Sequence, residues 1–391
     1  MRNITLKKNE ERRVLGGHPW IFSNEIADGL KQIAPGEVVE IYDWRGRFVG
    51  RGYANPRSLI AVRILSRDRA TAIGRDFFRQ RLEEALAYRR RVAPGETAYR
   101  LVFGEGDFLP GLIIDRYGDY LVIQSLTAGM EQWLEVIADI LEELLSPVAI
   151  ILRNDASVRE LEGMPQEKRV LRGTLEGPVE IREGGLRLRV NLLEGQKTGF
   201  FLDQRENRFV LEKESRGLRV LDCFTYVGAW ALHAALGGAT EVIGLDASAR
   251  AVEDATANAA LNGLENICRF GRADVFDELP RLAAAGEKFD CVVLDPPAFV
   301  KSKAKIKEAV KGYREINLRG LKLIEPGGLL VTCSCSYHID RSTFLAIIAD
   351  AAADAGRRLR LVECRSQGRD HPVNPAVPET EYLKCGFFRV Y

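Results

Sequence analysis

The chain has 391 residues, 46% of them hydrophobic and 28% charged, with a formal net charge of +1. That length allows two or three domains, each with its own core. No run of about 18 apolar residues occurs, so no membrane span is expected. The opening MRNITLKKNEERR lacks the apolar stretch of a secretory signal. Cysteines fall at 223, 268, 291, 333, 335, 364 and 385. An odd number without framework spacing reads as reduced thiols in a cytoplasmic protein. Only four histidines occur, with no CxxC or HExxH, so no metal site is expected.

Residues 1–70 carry 13 Lys/Arg against 8 Asp/Glu, a local excess of +5. VVEIYD (38–43), FVGRGYA (48–54) and IAVRILS (60–66) are β-rich and punctuated by Pro35-Gly36 and Arg45-Gly46. They predict a small β-barrel with one short helix near Pro19-Trp20-Ile21-Phe22. A helical linker follows at 75–93, where apolar residues recur at helical spacing. Residues 100–190 read as α+β. A hairpin spans 111–124 with Tyr117-Gly118-Asp119 at its turn, a helix 131–145, a strand 148–154, and a second hairpin 179–192 around Glu183-Gly184-Gly185.

From about residue 200, apolar strands alternate with helices. The strands are RVLDCF (219–224), EVIGLD (241–246), FDCVVLD (289–295), GLLVTCS (328–334) and LRLVECR (359–365), with helices at 228–237 and 248–262. This pattern predicts a mostly parallel, doubly wound sheet that binds ligand at the carboxyl ends of its strands. Asp222 to Gly228 (DCFTYVG) follows the first strand and opens a helix, but it has one glycine where a dinucleotide fingerprint needs three. Asp246 ends the next strand and is placed to accept ribose hydroxyls. Asp274, in GRADVFD, falls where a third strand would end. Each acid alone is an ordinary helix N-cap. Three at successive strand ends, with no phosphate loop, fit a nucleoside with a cationic tail, S-adenosylmethionine rather than NAD or ATP. Asp222, Phe224, Gly228, Asp246, Ala247, Asp274, Val275 and Asp295 are the cofactor candidates.

Asp295-Pro-Pro-Ala-Phe299 ends the fourth strand in a stiff turn that aims the carboxylate at the cleft, with Phe299 able to stack on a base. A basic run from Lys301 to Arg314 follows; it is a solvated face or a phosphate footprint. In VTCSCSYH, Cys333 and Cys335 share a strand face. A strand cysteine is ordinarily core. This pair, however, ends the strand beside the one carrying Asp295. Carbon 5 of a pyrimidine becomes nucleophilic only after a thiolate adds to carbon 6, and that chemistry gives a cysteine here a use.

Four stretches carry a family likeness: GHPWIFSNEI (17–26), EGQKTGFFLDQRENR (194–208), LDPPAFVKSK (294–303) with SCSYH (334–338), and RDHPVNPAVPETEYLK (369–384). Through them the chain resembles the RlmI family of class I S-adenosylmethionine-dependent methyltransferases, which make 5-methylcytosine in large-subunit ribosomal RNA. The resemblance implies a PUA domain (1–72), a central α+β domain (73–192) and a Rossmann-like catalytic domain (193–391). It implies Cys335 as nucleophile, Cys333 as packing, and Asp295 as the group that holds the cytosine ring nitrogen or amine. Lys197, Thr198, Phe200, Asp203 and Gln204 are implied to line the cofactor or target pocket. Arg12, Arg13, Trp20, Gln204, Phe299, Lys301 and Lys303 are the expected RNA contacts. The target base is expected to leave its stack, and the family's assembly is a homodimer. A related group carries a second cysteine directly after the proline of this turn. Pro297-Ala298 stands there instead, so the base that takes the carbon-5 proton has no assigned residue.

Two other readings share this fold. Methylation of a guanine or adenine nitrogen needs no thiol, because that nitrogen is already nucleophilic. A non-catalytic RNA-binding assembly factor would not need Asp222, Asp246, Asp295 and Cys335 together. A nicotinamide dehydrogenase would need the missing glycines.

Overall fold

The computed structural model describes residues 1–299 and 305–391. The chain folds into two compact units. The first comprises Met1–Val179, Asn191–Leu202 and Arg369–Thr380, the second Glu180–Val190, Asp203–Gly368 and Glu381–Tyr391. This division departs from three consecutive domains: the segment 191–202 and the tail 369–380 join the first unit, while the hairpin before them joins the second.

In the first unit, six strands form one sheet: β1 (Arg2–Leu6), β2 (Trp20–Ile21), β3 (Ile26–Asp28), β4 (Val38–Tyr42), β5 (Phe48–Ala54) and β6 (Val62–Ser66), in the order β2-β6-β5-β4-β1-β3. Their inward Ile4, Leu6, Val39, Ile41, Val62 and Ile64 build a core of their own. Trp20 and Ile21 pair with Arg63 and Val62 as a strand, so the helix expected there is displaced to Glu11–Leu15. A second sheet contains β7 (Ala98–Phe103), β8 (Leu112–Tyr117), β9 (Tyr120–Ser125), β10 (Ala149–Asn154) and β11 (Glu167–Gly173), in the order β11-β10-β9-β8-β7. The expected helix Arg75–Val92 buries Phe77, Phe78, Leu82 and Leu86 against it.

The expected hairpin, β12 (Val179–Glu183) and β13 (Leu186–Val190), belongs to the second unit from Glu180 on. Its main sheet has seven strands: β14 (Arg219–Cys223), β15 (Glu241–Asp246), β16 (Cys268–Arg272), β17 (Phe289–Leu294), β18 (Ile324–Ser334), β19 (Leu359–Arg365) and β20 (Lys384–Val390). The order is β16-β15-β14-β17-β18-β20-β19, parallel except for β20, which runs antiparallel between β18 and β19. Helices α1 (Arg205–Glu214), α2 (Ala229–Leu236), α3 (Ala249–Leu261), α4 (Val275–Ala284), α5 (Ile306–Leu323) and α6 (Arg341–Asp354) complete this unit. Strands β14 to β16 run out one way and β17 to β18 the other, so the order reverses between β14 and β17. Doubly wound sheets open their ligand crevice at such a reversal.

Candidate active site

The register of the parallel strands aligns their carboxyl ends. Cys223 of β14 is level with Leu245 of β15 and Leu294 of β17, and Leu294 is level with Thr332 of β18. The residues just beyond these points form one edge: the loop 224–228, Asp246, Asp295 and Cys335.

The loop after β14 turns sharply. Phe224, Tyr226 and Gly228 all take left-handed backbone conformations, with φ of 66°, 51° and 85°. Side-chain-bearing residues pay roughly 1 kcal/mol or more there. A methyl group at Gly228 would lie 3.1 Å from both Ala255 and Phe270, so only glycine fits that last position comfortably. Asp246 accepts backbone N–H bonds from Tyr226 (3.0 Å) and Ser248 (2.9 Å), which tie the loop to the end of β15. Asp222 is fully buried; one oxygen accepts from the Thr225 hydroxyl (2.6 Å) and the Ala231 N–H (3.1 Å). Its other oxygen has no hydrogen-bond partner among the described residues. Burial, helped by the nearby charges of Asp295 and Asp246, pushes the Asp222 carboxyl up to about 7 against the bonds from Thr225 and Ala231. Carboxylates with an orphaned oxygen suit a ligand that brings hydroxyl, amine and cationic groups. The residues present therefore fit S-adenosylmethionine.

Asp274 is exposed, and its carboxylate caps α4 through the Phe276 N–H (2.8 Å). Val275 is buried core, and the Ala247 carbonyl accepts from Arg272 (3.1 Å). Asp295 is half-buried, and one of its oxygens accepts from the Trp230 indole (3.0 Å) and the Gln204 amide (3.1 Å). Gln204 is itself buried and accepts from Asn207 (2.7 Å), so its amide joins Asp295 to α1. Neighbouring Asp203 accepts from the Tyr382 hydroxyl (2.5 Å). Trp230 carried no sequence signal, because it sits in the uniformly apolar AWALHAAL of α2.

The two cysteines separate cleanly. Cys333 has no exposed surface, lies opposite Cys385 across β18 and β20, and has its thiol held well above the ordinary value by burial. Cys335 lies just past the end of β18 and is half-buried. Its loop is braced by the Tyr313 hydroxyl on the Ser336 hydroxyl (2.8 Å). Phe299 packs on Tyr313 with ring centres 4.6 Å apart.

Several expected contacts have other partners within the first unit. Thr198 lies in the first unit, fully buried, with its hydroxyl on Asp115 (2.5 Å) and Tyr117 (2.8 Å), which commits it to packing. Lys197 also lies in the first unit, its ammonium 4.5 Å from the Phe201 ring centre. The Arg13 guanidinium donates to both Glu25 oxygens (2.8 and 2.9 Å), and the Trp20 indole donates to Glu105 (2.7 Å). Both are scaffold contacts, whereas Arg12 is exposed. Lys301 and Lys303 fall outside the described residues.

Comparison with known proteins agrees with this architecture. Residues 4–67 match the PUA-like domain family, and residues 163–389 match the S-adenosylmethionine-dependent methyltransferase family. A ribosomal RNA large subunit methyltransferase I of Aeromonas salmonicida is 43% identical over 385 residues, covering 97% of each chain. One of Shewanella denitrificans is 41% identical over 394 residues, covering 99% of each. Among solved structures, a methyltransferase complexed with SAH superposes over 100% of both chains with a TM-score of 0.87 at 22% identity, a likeness of fold.

Proposed function

We propose carbon-5 methylation of a cytosine from a plain premise: the chain belongs to the family of ribosomal RNA large subunit methyltransferase I. It is an S-adenosylmethionine-dependent methyltransferase. The proposed substrate is a cytosine in the large-subunit ribosomal RNA; the relatives' names give that RNA and not the base. The observation that carries the carbon-5 reading is the contrast between two neighbouring thiols. Cys333 is sealed in the sheet, while Cys335 stands half-exposed at the strand end, one strand from Asp295.

Cys335 acts as the nucleophile. Its thiolate adds to carbon 6 of the cytosine, and the electron pair of the 5,6 double bond makes carbon 5 enamine-like. Bound S-adenosylmethionine supplies the methyl group as an electrophile on sulfur. Carbon 5 takes that methyl group, its proton passes to water, and the Cys335 thiolate leaves carbon 6, which restores the aromatic ring. Asp295 holds the ring nitrogen or amine and stabilises the protonated form; Trp230 and Gln204 fix its orientation. The basic excess of the first 70 residues contacts phosphates and positions the RNA, while the pocket specifies the base. The target cytosine must be flipped out of its stack to reach a thiol at a strand end.

The test is nucleoside mass spectrometry on unmodified ribosomal RNA incubated with S-adenosylmethionine and either the wild type or Cys335→Ala. The wild type is expected to form 5-methylcytidine. The variant should lose at least about 10³-fold in rate, because no other group replaces the nucleophile. A methylated guanosine or adenosine, or a variant with near-normal turnover, sinks the carbon-5 reading.

A further inference from the structure

The C-terminal strand places a buried lysine beside the proposed nucleophile. Lys384 opens β20, where its backbone is level with Ser334, the residue before Cys335. It is only 7% exposed. Its ammonium donates to the carbonyl of Ser336, the residue after Cys335 (2.8 Å), and to that of Tyr382 (2.8 Å). An ammonium has three donors and no acceptor. One donor is spent on the thiol loop, at the carbonyl that follows Cys335, and one on the Tyr382 carbonyl of its own segment, so the ammonium ties that loop to the start of β20. Burying a lysine is costly unless its charge has a use.

We propose that Lys384 is a positioning residue that clamps the Cys335 loop and holds the Cys335 sulfur as its thiolate. The inference rests on the reading of Cys335 as nucleophile.

The electrostatic surroundings support it. Burial pushes the Lys384 ammonium down to about 8, and Cys335, Asp340, Glu381 and Cys364 pull it back up. Lys384 thus remains mostly charged at neutral pH and loses its proton as the pH passes about 8. Tyr313 faces Cys335 from α5, and its hydroxyl is raised by burial, so it stays protonated and adds no negative charge there. Asp340 and Glu381 bring negative charge, which favours keeping Lys384 protonated and opposes a thiolate. Among the described residues, Lys384 is a cation whose charge acts on Cys335, while Arg341 stands beside Cys364. A nearby cation lowers a thiol's pKa, and the thiolate is the reactive form.

Lysine also fixes the loop through hydrogen bonds alone, so the test must separate charge from donation. Lys384→Gln keeps N–H donors without charge; Lys384→Arg keeps the charge. The rate at which iodoacetamide alkylates Cys335 is followed against pH by peptide mass spectrometry on the full chain, without RNA or cofactor. A short cysteine peptide added to the same reaction serves as the reference, because Cys364 itself interacts with Lys384. In the wild type, Cys335 should react with a midpoint below the ordinary thiol value of about 8.5. Lys384→Gln should raise that midpoint by about one pH unit, close to tenfold slower alkylation at pH 7, while Lys384→Arg stays near the wild type. Equal midpoints in wild type and Lys384→Gln overturn the inference. So does a wild-type midpoint at or above that of an ordinary thiol, a result available even if both variants misfold. The nucleoside measurement keeps the two ideas apart. If 5-methylcytidine forms but the midpoints agree, Lys384 is scaffold and the nucleophile stands. If the midpoints differ but no 5-methylcytidine forms, the activated thiol stands and the carbon-5 reading falls.

Discussion

The methyltransferase unit buries two carboxylates in opposite electrostatic settings. Glu183, at the end of β12, accepts two bonds from the Arg208 guanidinium (2.6 and 2.7 Å) and faces the His233 ring (3.1 Å). His233 reaches Glu212 through its other nitrogen (2.7 Å). Burial alone would raise the Glu183 carboxyl, but the Arg208 charge and the bonds from His233 and Arg208 outweigh it and bring it down to about 2. Asp222 is equally buried, yet it is pushed up to about 7, and among the described residues the strongest groups acting on it are neutral donors and two other acids. A closed ion network ties elements together. A buried acid facing other acids, with an oxygen left over, is the arrangement expected where a cationic ligand binds. Depth of burial is the same at both places, so the partners tell scaffold from site.

The largest effect should come from opening the closed network. Glu183→Gln takes from buried Arg208 the carboxylate that it bonds twice, a loss that typically costs about 3–5 kcal/mol. The pH dependence of the wild type carries the same signature. Glu183 has a depressed folded value, so its contribution is present above its ordinary 4.5 and is lost as pH falls from there through about 2. His233 is raised, against the pull of burial, by its bonds to Glu183 and Glu212. Its contribution is therefore full below 6.5 and fades as pH rises through the folded value. Thermal unfolding at pH 5.5 should show the variant melting well below the wild type. Matching midpoints would mean that the network is not structural.

Asp222→Asn should act in the opposite sense. Because its folded value is raised, ionised Asp222 costs the apo protein stability. Stability should fall as pH rises from about 4 to about 7 and stay level above that. A rise of that size corresponds to at most about 4 kcal/mol. The asparagine variant should lose this slope and melt higher than the wild type at pH 8. It should also bind S-adenosylmethionine more weakly in calorimetric titration, since it gives up a carboxylate the cofactor's positive groups would favour. Unchanged affinity together with an unchanged slope would make Asp222 an ordinary brace of its loop.

The sequence made one of these acids visible and hid the other. Asp222 stands at the end of an apolar strand before a turn, where strand-end logic looks for ligands. Glu183 belongs to a hairpin turn, and its partners Arg208 and His233 come from helices far along the chain, so no local spacing announces them. The same limit applies to the fold. Long apolar runs marked β14, β15, β17, β18 and β19. The short, polar CRFGR of β16 is marked only by Asp274 beyond its end, and KCGFFRV carries no strand signal as clear as the others. That weaker signal hid Lys384, because its position depends on β20 inserting antiparallel between β18 and β19. The left-handed turns at Phe224 and Tyr226 were hidden for another reason: no glycine marks them.

The smallest effect should come from the orientation of Asp295, which sharpens the contrast by changing the site without touching the scaffold. Trp230 and Gln204 donate to the same Asp295 oxygen. Trp230→Phe retains most of the ring packing in α2 and removes one donor. A hydrogen bond to a charged acceptor is worth about 1.5–3 kcal/mol when lost, and the remaining Gln204 bond reduces the loss toward the lower figure. About tenfold in kcat/KM is expected, with the melting temperature and cofactor affinity nearly unchanged. Because both donors share one acceptor, adding Gln204→Leu should cost more than the two single effects summed. Strict additivity would mean that Asp295 keeps its orientation through other contacts, and that its two visible donors serve packing in the same way as the partners of Glu183.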